Sequence, residues 1–220
     1  MFRFVKVSPS IIATDYNDEN ILNDNLNKLQ NSMAKFIHLD VMDGRFVKNK
    51  TFGHEFIDKI KHKTDLLLDV HLMVENPDEV ILDYINAGAD ILTVHFEACK
   101  DVEKVLKTIR DNGCLAGLAI SPKTEVAEIE HLIVNDLADI VLVMGVEPGA
   151  YGQAFLPETA LKVSEIRDIN KFIEIEVDGG INIRNASMLR KLGANILVSG
   201  ATVFNSQDIN FTIKQLIGKE

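Results

Sequence analysis

Short apolar runs alternate with amphipathic stretches eight times along the chain, and this alternation restricts the fold more than any other feature. Runs at 5–12, 36–44, 66–74, 91–98, 115–121, 140–146, 172–178 and 196–200 read as strands. Between them lie segments of helical spacing. Ile21, Leu22, Leu26 and Leu29 mark the first, over 18–32, and Phe56, Ile57 and Ile60 mark the second. Pro77-Asp78-Glu79 opens the third, with proline tolerated in a first turn and acids favoured by the dipole. The others span 101–112, 125–134, 157–169, 182–192 and 209–217. Strand–helix alternation implies a parallel sheet. Eight such units occupy 220 residues without a linker or second domain, which predicts an α/β fold, a single-domain TIM (β/α)8 barrel over 1–220.

An open doubly wound sheet is the structural alternative. It leaves one pattern unexplained: three strands carry polar residues on one parity and packing residues on the other. In 36–44, Ile37, Leu39 and Val41 oppose His38, Asp40 and Met42. In 66–74, Leu68, Val70 and Leu72 oppose Asp69, His71 and Met73. In 172–178, Ile173, Ile175 and Val177 oppose Glu174, Glu176 and Asp178. A barrel makes the inward residues of separate strands converge at its C-terminal mouth, where the chemistry of this fold sits.

Buried imidazoles and carboxylates cost desolvation unless they are paired or bind a metal. His38, Asp40, His71 and Asp178 are therefore metal candidates. Two imidazoles with two carboxylates suit one divalent ion such as Zn²⁺, Fe²⁺, Mn²⁺ or Co²⁺ better than Ca²⁺ or Mg²⁺. Asp69 and Glu176 either orient the imidazoles or fill the barrel. His95 and Glu97, read as inward on the fourth strand, either touch a ligand or fill the barrel. Met42, Met73 and Met144 near strand ends are core filler or a dry lid over a developing anion. His54, His62 and His131 fall in helical stretches and read as solvated.

The net charge of −10 argues against nucleic acid and anionic membrane as partners. An anionic ligand then needs a local device. Glycines in successive loops after strands six, seven and eight supply one: Gly149 and Gly152, Gly179 and Gly180, and Gly200 beside Ala201. Glycine there lets backbone N–H groups approach a phosphate, at the usual phosphate end of such barrels. No run nears the ~20 apolar residues of a membrane span. The opening MFRFVKVSPS reads as a strand rather than a leader. Cys99 and Cys114, without zinc-type spacing, read as reduced thiols of a cytoplasmic protein.

Ser8-Pro9-Ser10, HLDVMDG (38–44), DVHLMV (69–74), HFEA (95–98), the EPG and GQ-F elements of 147–155, and EVDGG (176–180) appear in order over nearly the whole chain. In these segments the chain resembles the ribulose-phosphate 3-epimerase family. The resemblance implies a TIM barrel that holds one divalent metal through His38, Asp40, His71 and Asp178. It implies interconversion of D-ribulose 5-phosphate and D-xylulose 5-phosphate, with Asp40 and Asp178 exchanging acid and base roles across C3. It further implies that Ser10 and His71 meet the small sugar-phosphate substrate, that the three methionines flank an enediolate, and that the chain forms a homo-oligomer, a dimer or hexamer.

Departures from the family pattern cluster on one side of this expected site. Tyr151 stands where a glycine is usual and Glu147 where an amide is usual. Ala201 replaces a serine and Ser121 an asparagine, and the loop after strand two carries Arg45, Lys48 and Lys50. A changed substrate such as D-allulose 6-phosphate is one reading, and lysines substituting for lost phosphate contacts is another. Two other function classes compete. A Schiff-base aldolase needs an inward strand lysine, and the sequence places none. A non-catalytic sugar-phosphate binder needs a broken acid/base pair, and both aspartates are present.

Overall fold

The computed structural model describes residues 4–219, so the reading of Met1, Phe2 and Arg3 as strand lies outside the described residues. Eight parallel strands form one sheet in the order β1-β8-β7-β6-β5-β4-β3-β2. They are β1 (Lys6–Ser8), β2 (Phe36–Met42), β3 (Leu67–Met73), β4 (Ile91–His95), β5 (Leu115–Ile120), β6 (Ile140–Met144), β7 (Glu174–Asp178) and β8 (Ile196–Val198). The sheet closes where Ser10 bridges His38, with the His38 N–H donating to Pro9 O at 2.9 Å. The helices are α1 (Glu19–Gln30), α2 (His54–Lys61), α3 (Ile81–Asn86), α4 (Val102–Asp111), α5 (Val126–Val134), α6 (Ala160–Ile169), α7 (Ile183–Leu192), α8 (Ala201–Phe204) and α9 (Ile209–Ile217). The single-domain TIM barrel is thus the observed architecture.

Each helix forms for local reasons and buries one stripe. Asp18 caps α1, accepting from the N–H groups of Asn20 and Ile21 at 2.8 and 3.2 Å, and Leu22, Leu26 and Leu29 face the barrel. Removing such a cap costs about 1 kcal/mol. Asn182 and Asn185 form a reciprocal capping box at the start of α7, and Gly193 in a left-handed conformation ends it.

Inside the barrel, side chains stack in layers from alternate strands. Phe36, Ile91, Ile140 and Ile196, all on even strands, pack as one apolar layer at the bottom. One step up, the odd strands contribute Ser8, Asp69, Gly117 and Glu176. Gly117 is required there because a Cβ would lie 2.0 Å from Thr93 Oγ1. The interior therefore turns polar above its first apolar layer.

Several boundaries differ from the sequence expectation. The first strand stops at Ser8 rather than continuing to 12, because Pro9 has no N–H for the ladder, and Ile11–Ala13 makes a 3-10 turn. The fourth strand ends at His95, and Phe96–Ala98 folds into another such turn. Glu97 is therefore not an inward strand residue. Phe172 precedes β7 and is exposed. The helix expected from Pro77 breaks at Val80 into a 3-10 turn, Pro77–Glu79, and α3. The short α8 after β8 has no counterpart in the sequence pattern.

Candidate active site

Asp40 and His71 are register partners near the ends of β2 and β3, and His38 pairs Asp69 one step below. Asp178 ends β7 opposite them. The structure brings His38, Asp40, His71 and Asp178 together, one donor atom from each lying within 4.8 Å of all the others. Asp40 Oδ1 sits 3.3 Å from both His38 Nε2 and His71 Nδ1. Asp178 Oδ2 lies 4.0 Å from the first and 3.9 Å from the second.

These donors suit a metal. Bonds of about 2.0–2.1 Å in tetrahedral array space ligands about 3.4 Å apart, close to the two shorter separations. His38 Nε2 is fully buried and makes no hydrogen bond, although buried polar atoms are normally paired. Its other nitrogen is engaged: His38 Nδ1–H donates to Asp69 Oδ2 at 2.8 Å, and Ser8 Oγ donates to the same oxygen at 2.7 Å. Asp69 thus fixes the His38 ring with Nε2 aimed at the cluster. Glu176, the other residue expected to orient an imidazole, stands 3.7 Å from His38 Nδ1. Burial and the charge of Asp69 push its carboxyl well above the ordinary range.

The two expected acid/base residues have opposite electrostatic settings. Burial would raise the Asp40 carboxyl, but the neighbouring imidazole of His38, and to a lesser extent that of His71, hold it far below its usual range. Ser10 Oγ donates to Asp40 Oδ2 at 2.6 Å. Asp178 is pushed up to about 7 by burial and by the charge of Asp40.

A cavity of about 250 Å³ opens over both aspartates. That is smaller than the roughly 300–1,000 Å³ of drug-sized sites, and it suits a small metabolite. Met42, Met73 and Met144 line it as a dry surface, each almost wholly buried, and Ser10 also reaches it. Its far wall comes from the loops after β6, β7 and β8: Gly149, Tyr151 and Gly152, then Gly179 and Gly180, then Gly200 and Ala201. Gly180 has φ +66° and sits against the 145–155 loop, where a Cβ would come 2.5 Å from Phe155 N. No lysine or arginine lines this cavity among the described residues.

Other expected site residues fall elsewhere. His71 is wholly buried beneath the cavity and does not line it. Lys50 lines a separate cleft with Arg45, Glu75 and Glu79, and neither Lys48 nor Lys50 lines the cavity over the aspartates, so the structure gives no support to these lysines replacing phosphate contacts. Glu147 pairs with Lys123 at 3.1 Å on the surface. Tyr151 stands largely exposed on the rim. His54, His62 and His131 are solvated as expected.

Three further contacts support the site. Thr51 Oγ1 donates to Asp40 O at 2.7 Å and accepts from the Met42 N–H at 2.9 Å, bracing the end of β2. Asn49 Nδ2 donates to Gly149 O at 2.7 Å, tying the loop after β2 to that after β6. His95 Nε2 meets His71 Nε2 at 2.9 Å, and His95 Nδ1 meets Glu97 Oε2 at 3.1 Å. Burial lowers His95 to about 4. Of these residues only His95 and Glu97 carry a local sequence signal, the string HFEA at 95–98.

Comparison with known proteins agrees with this geometry. The model of the Ribulose-phosphate 3 epimerase family matches residues 6–204. The ribulose-phosphate 3-epimerase of Bacillus subtilis (strain 168) is 39% identical, over 98% of this chain and 100% of that protein. The ribulose-phosphate 3-epimerase of Escherichia coli (strain K12) is 34% identical over 96% of this chain and 93% of its own. Among solved structures, 3-hexulose-6-phosphate synthase from Salmonella typhimurium superposes with a TM-score of 0.67 over 97% of each chain. At 17% identity that likeness concerns the fold alone. Matching along nearly its full length, in family model and relatives alike, the chain belongs to the ribulose-phosphate 3-epimerase family.

Proposed function

We propose that this chain interconverts D-ribulose 5-phosphate and D-xylulose 5-phosphate as a metal-dependent isomerase, by two-base proton transfer at C3. One observation carries the reading: Asp40 and Asp178 face one small cavity with pKa values driven in opposite directions. Carboxyls split in this way assign a base and an acid at neutral pH.

The C3 proton lies α to the C2 ketone, so its removal yields an enediolate. Asp40, held ionised, takes the proton from one face of C3. Asp178, whose carboxyl burial and the charge of Asp40 push up to about 7, returns one to the other face, and the roles exchange in the reverse direction. Ser10 keeps Asp40 Oδ2 fixed through its 2.6 Å hydrogen bond. The methionine surface excludes water and strengthens each electrostatic contact. His38, Asp40, His71 and Asp178 would hold one divalent ion: Zn²⁺, Fe²⁺, Mn²⁺ or Co²⁺. Bound there, it supplies Lewis-acid stabilisation of the negative charge that develops on the substrate oxygens. Without a lining cation, the phosphate is held by backbone N–H groups of the glycine loops 179–180 and 200–201. A cytoplasmic location accords with two unpaired cysteines, Cys99 and Cys114, and homo-oligomeric assembly is part of the same proposal.

Proton NMR of D-ribulose 5-phosphate in D₂O, with protein loaded in turn with each of the four metals, tests this. The C3 proton signal is lost and the 3-epimer appears. Removal of metal by a chelator stops both. No exchange in any metal-loaded sample overturns the reading. Faster exchange of D-allulose 6-phosphate run in parallel overturns the substrate assignment alone, and points to Tyr151 on the rim.

A further inference from the structure

We propose that Glu97 sets the tautomer of His71 through His95, so that His71 presents a lone pair and not a proton to the metal-binding cluster. Glu97 and His95 are positioning residues, and the inference rests on the metal reading above.

The directions of the hydrogen bonds carry the argument. Glu97 Oε1 accepts from the Ser121 N–H at 2.7 Å and from the Thr124 hydroxyl. A backbone N–H can only donate, so that side of Glu97 must accept. Lys162, buried on α6, anchors the same loop by donating to Ser121 O and Pro122 O at 3.2 and 2.8 Å and to Thr124 O. The other carboxylate oxygen, Oε2, lies 3.1 Å from His95 Nδ1. A carboxylate there accepts, so Nδ1 of His95 carries the proton and its Nε2 is left with a lone pair. His71 Nε2 faces that lone pair at 2.9 Å in a wholly buried setting and must donate. The remaining nitrogen of His71, Nδ1, lies 3.3 Å from Asp40 Oδ1 and 3.9 Å from Asp178 Oδ2 and then offers its lone pair to an ion held among them. His38 reaches the same state by a shorter route, with Nδ1–H on Asp69 and Nε2 left over. Both imidazoles are thus preset as ligands, one by a direct carboxylate and one by a carboxylate acting through a second ring.

Glu97→Gln gives the test its direction. The amide oxygen must stay on the Ser121 N–H, so the amide nitrogen turns to His95 Nδ1 and donates. The proton of His95 moves to Nε2, His71 is forced to accept there, and its Nδ1 becomes protonated towards the metal. Chelator competition on the zinc-loaded full chain is expected to show about 10- to 100-fold weaker binding in Glu97→Gln. Thr124→Val, which loosens Glu97 but leaves its charge and tautomer role, is expected to stay within about threefold of wild type. Long-range ¹H–¹⁵N correlation on zinc-loaded protein reads the tautomer directly: the His95 proton is on Nδ1 in wild type and on Nε2 in Glu97→Gln. A wild-type His95 protonated on Nε2 overturns the proposal, as does unchanged zinc affinity in Glu97→Gln. A wild-type chain that binds no divalent metal fails the functional reading instead, and the same ¹H–¹⁵N correlation on the metal-free chain then decides the tautomer.

Discussion

The two ends of the barrel are built on opposite rules. At the bottom, three straps repeat one arrangement. Asp90 Oδ2 accepts from the Leu68 N–H at 2.8 Å and from Lys61 Nζ at 2.7 Å. Asp139 accepts from the Ala116 N–H at 2.8 Å and from Arg110 through two bonds at 3.0 and 2.7 Å. Asn195 Oδ1 accepts from the Ile175 N–H at 2.7 Å and from Arg167 Nη2 at 3.2 Å. In each, a residue just before an even strand receives a backbone N–H from the preceding odd strand and a cation from the last turns of α2, α4 or α6. A cation there also suits the helix dipole. At the top nothing repeats: His38 Nε2 lacks a hydrogen bond, and two carboxyls are held apart in pKa. Satisfied groups hold the barrel together at one end, and unsatisfied ones are available for chemistry at the other.

The largest expected effect breaks the top without harming the bottom. Asp178→Asn removes one of the two proton carriers and is expected to lower turnover of D-ribulose 5-phosphate about 10²- to 10⁴-fold. Stability should move the other way. The Asp178 carboxyl titrates near 7 in the fold against an ordinary 3.8, so its ionisation costs the metal-free fold stability as pH rises through that window. Metal-free Asp178→Asn protein at pH 8 is therefore expected to melt no lower than wild type, as thermal unfolding by circular dichroism can show. A marked drop would mean that the top is structural too.

The converse experiment breaks the bottom. Asp139→Ala leaves the buried Ala116 N–H and the Arg110 guanidinium without their shared acceptor. A lost buried acceptor costs roughly 1–3 kcal/mol, or roughly 2–12 °C of melting temperature in a chain of this size. kcat and KM below the melting range should stay within about twofold, since sites far apart without shared partners act independently. Loss of activity in step with stability would show that the two ends are coupled.

The sequence displayed the top more clearly than the bottom, for a physical reason. His38, Asp40, His71 and Asp178 interrupt apolar strands at period two, so a polar residue on a strand's inward face is visible locally. The strap partners Lys61 and Asp90, or Arg110 and Asp139, lie 29 residues apart and follow no local period. The choice between Asp69 and Glu176 was equally hidden. They occupy one layer with the same parity, and only distance separates them, 2.8 Å against 3.7 Å from His38 Nδ1. Glu97 was misplaced because a straight strand puts it inward, whereas the 3-10 turn at Phe96–Ala98 swings it back beside His95. That turn depends on contacts from β5 and its loop, which single-strand reasoning does not contain.

Glu97 sharpens the comparison because it belongs to the top by position and to the bottom by construction. Like a strap, it accepts a backbone N–H, from Ser121, and a side-chain donor, from Thr124. Burial pushes its carboxyl up, but hydrogen bonds from His95, Thr124 and Ser121 outweigh that and bring it down to about 2 from an ordinary 4.5. A carboxyl lowered on folding stabilises fully above its unfolded value and loses that contribution as pH falls through its folded value. Glu97 should thus stabilise the protein above pH 4.5 and cease to do so between pH 4.5 and about 2. Urea unfolding at pH 5, 4 and 3 is expected to show a shallower decline for Glu97→Gln than for wild type, because the amide has no proton to gain. Parallel declines would mean that the carboxylate, although well bonded, carries no share of the fold's stability, and that the top contains no strap at all.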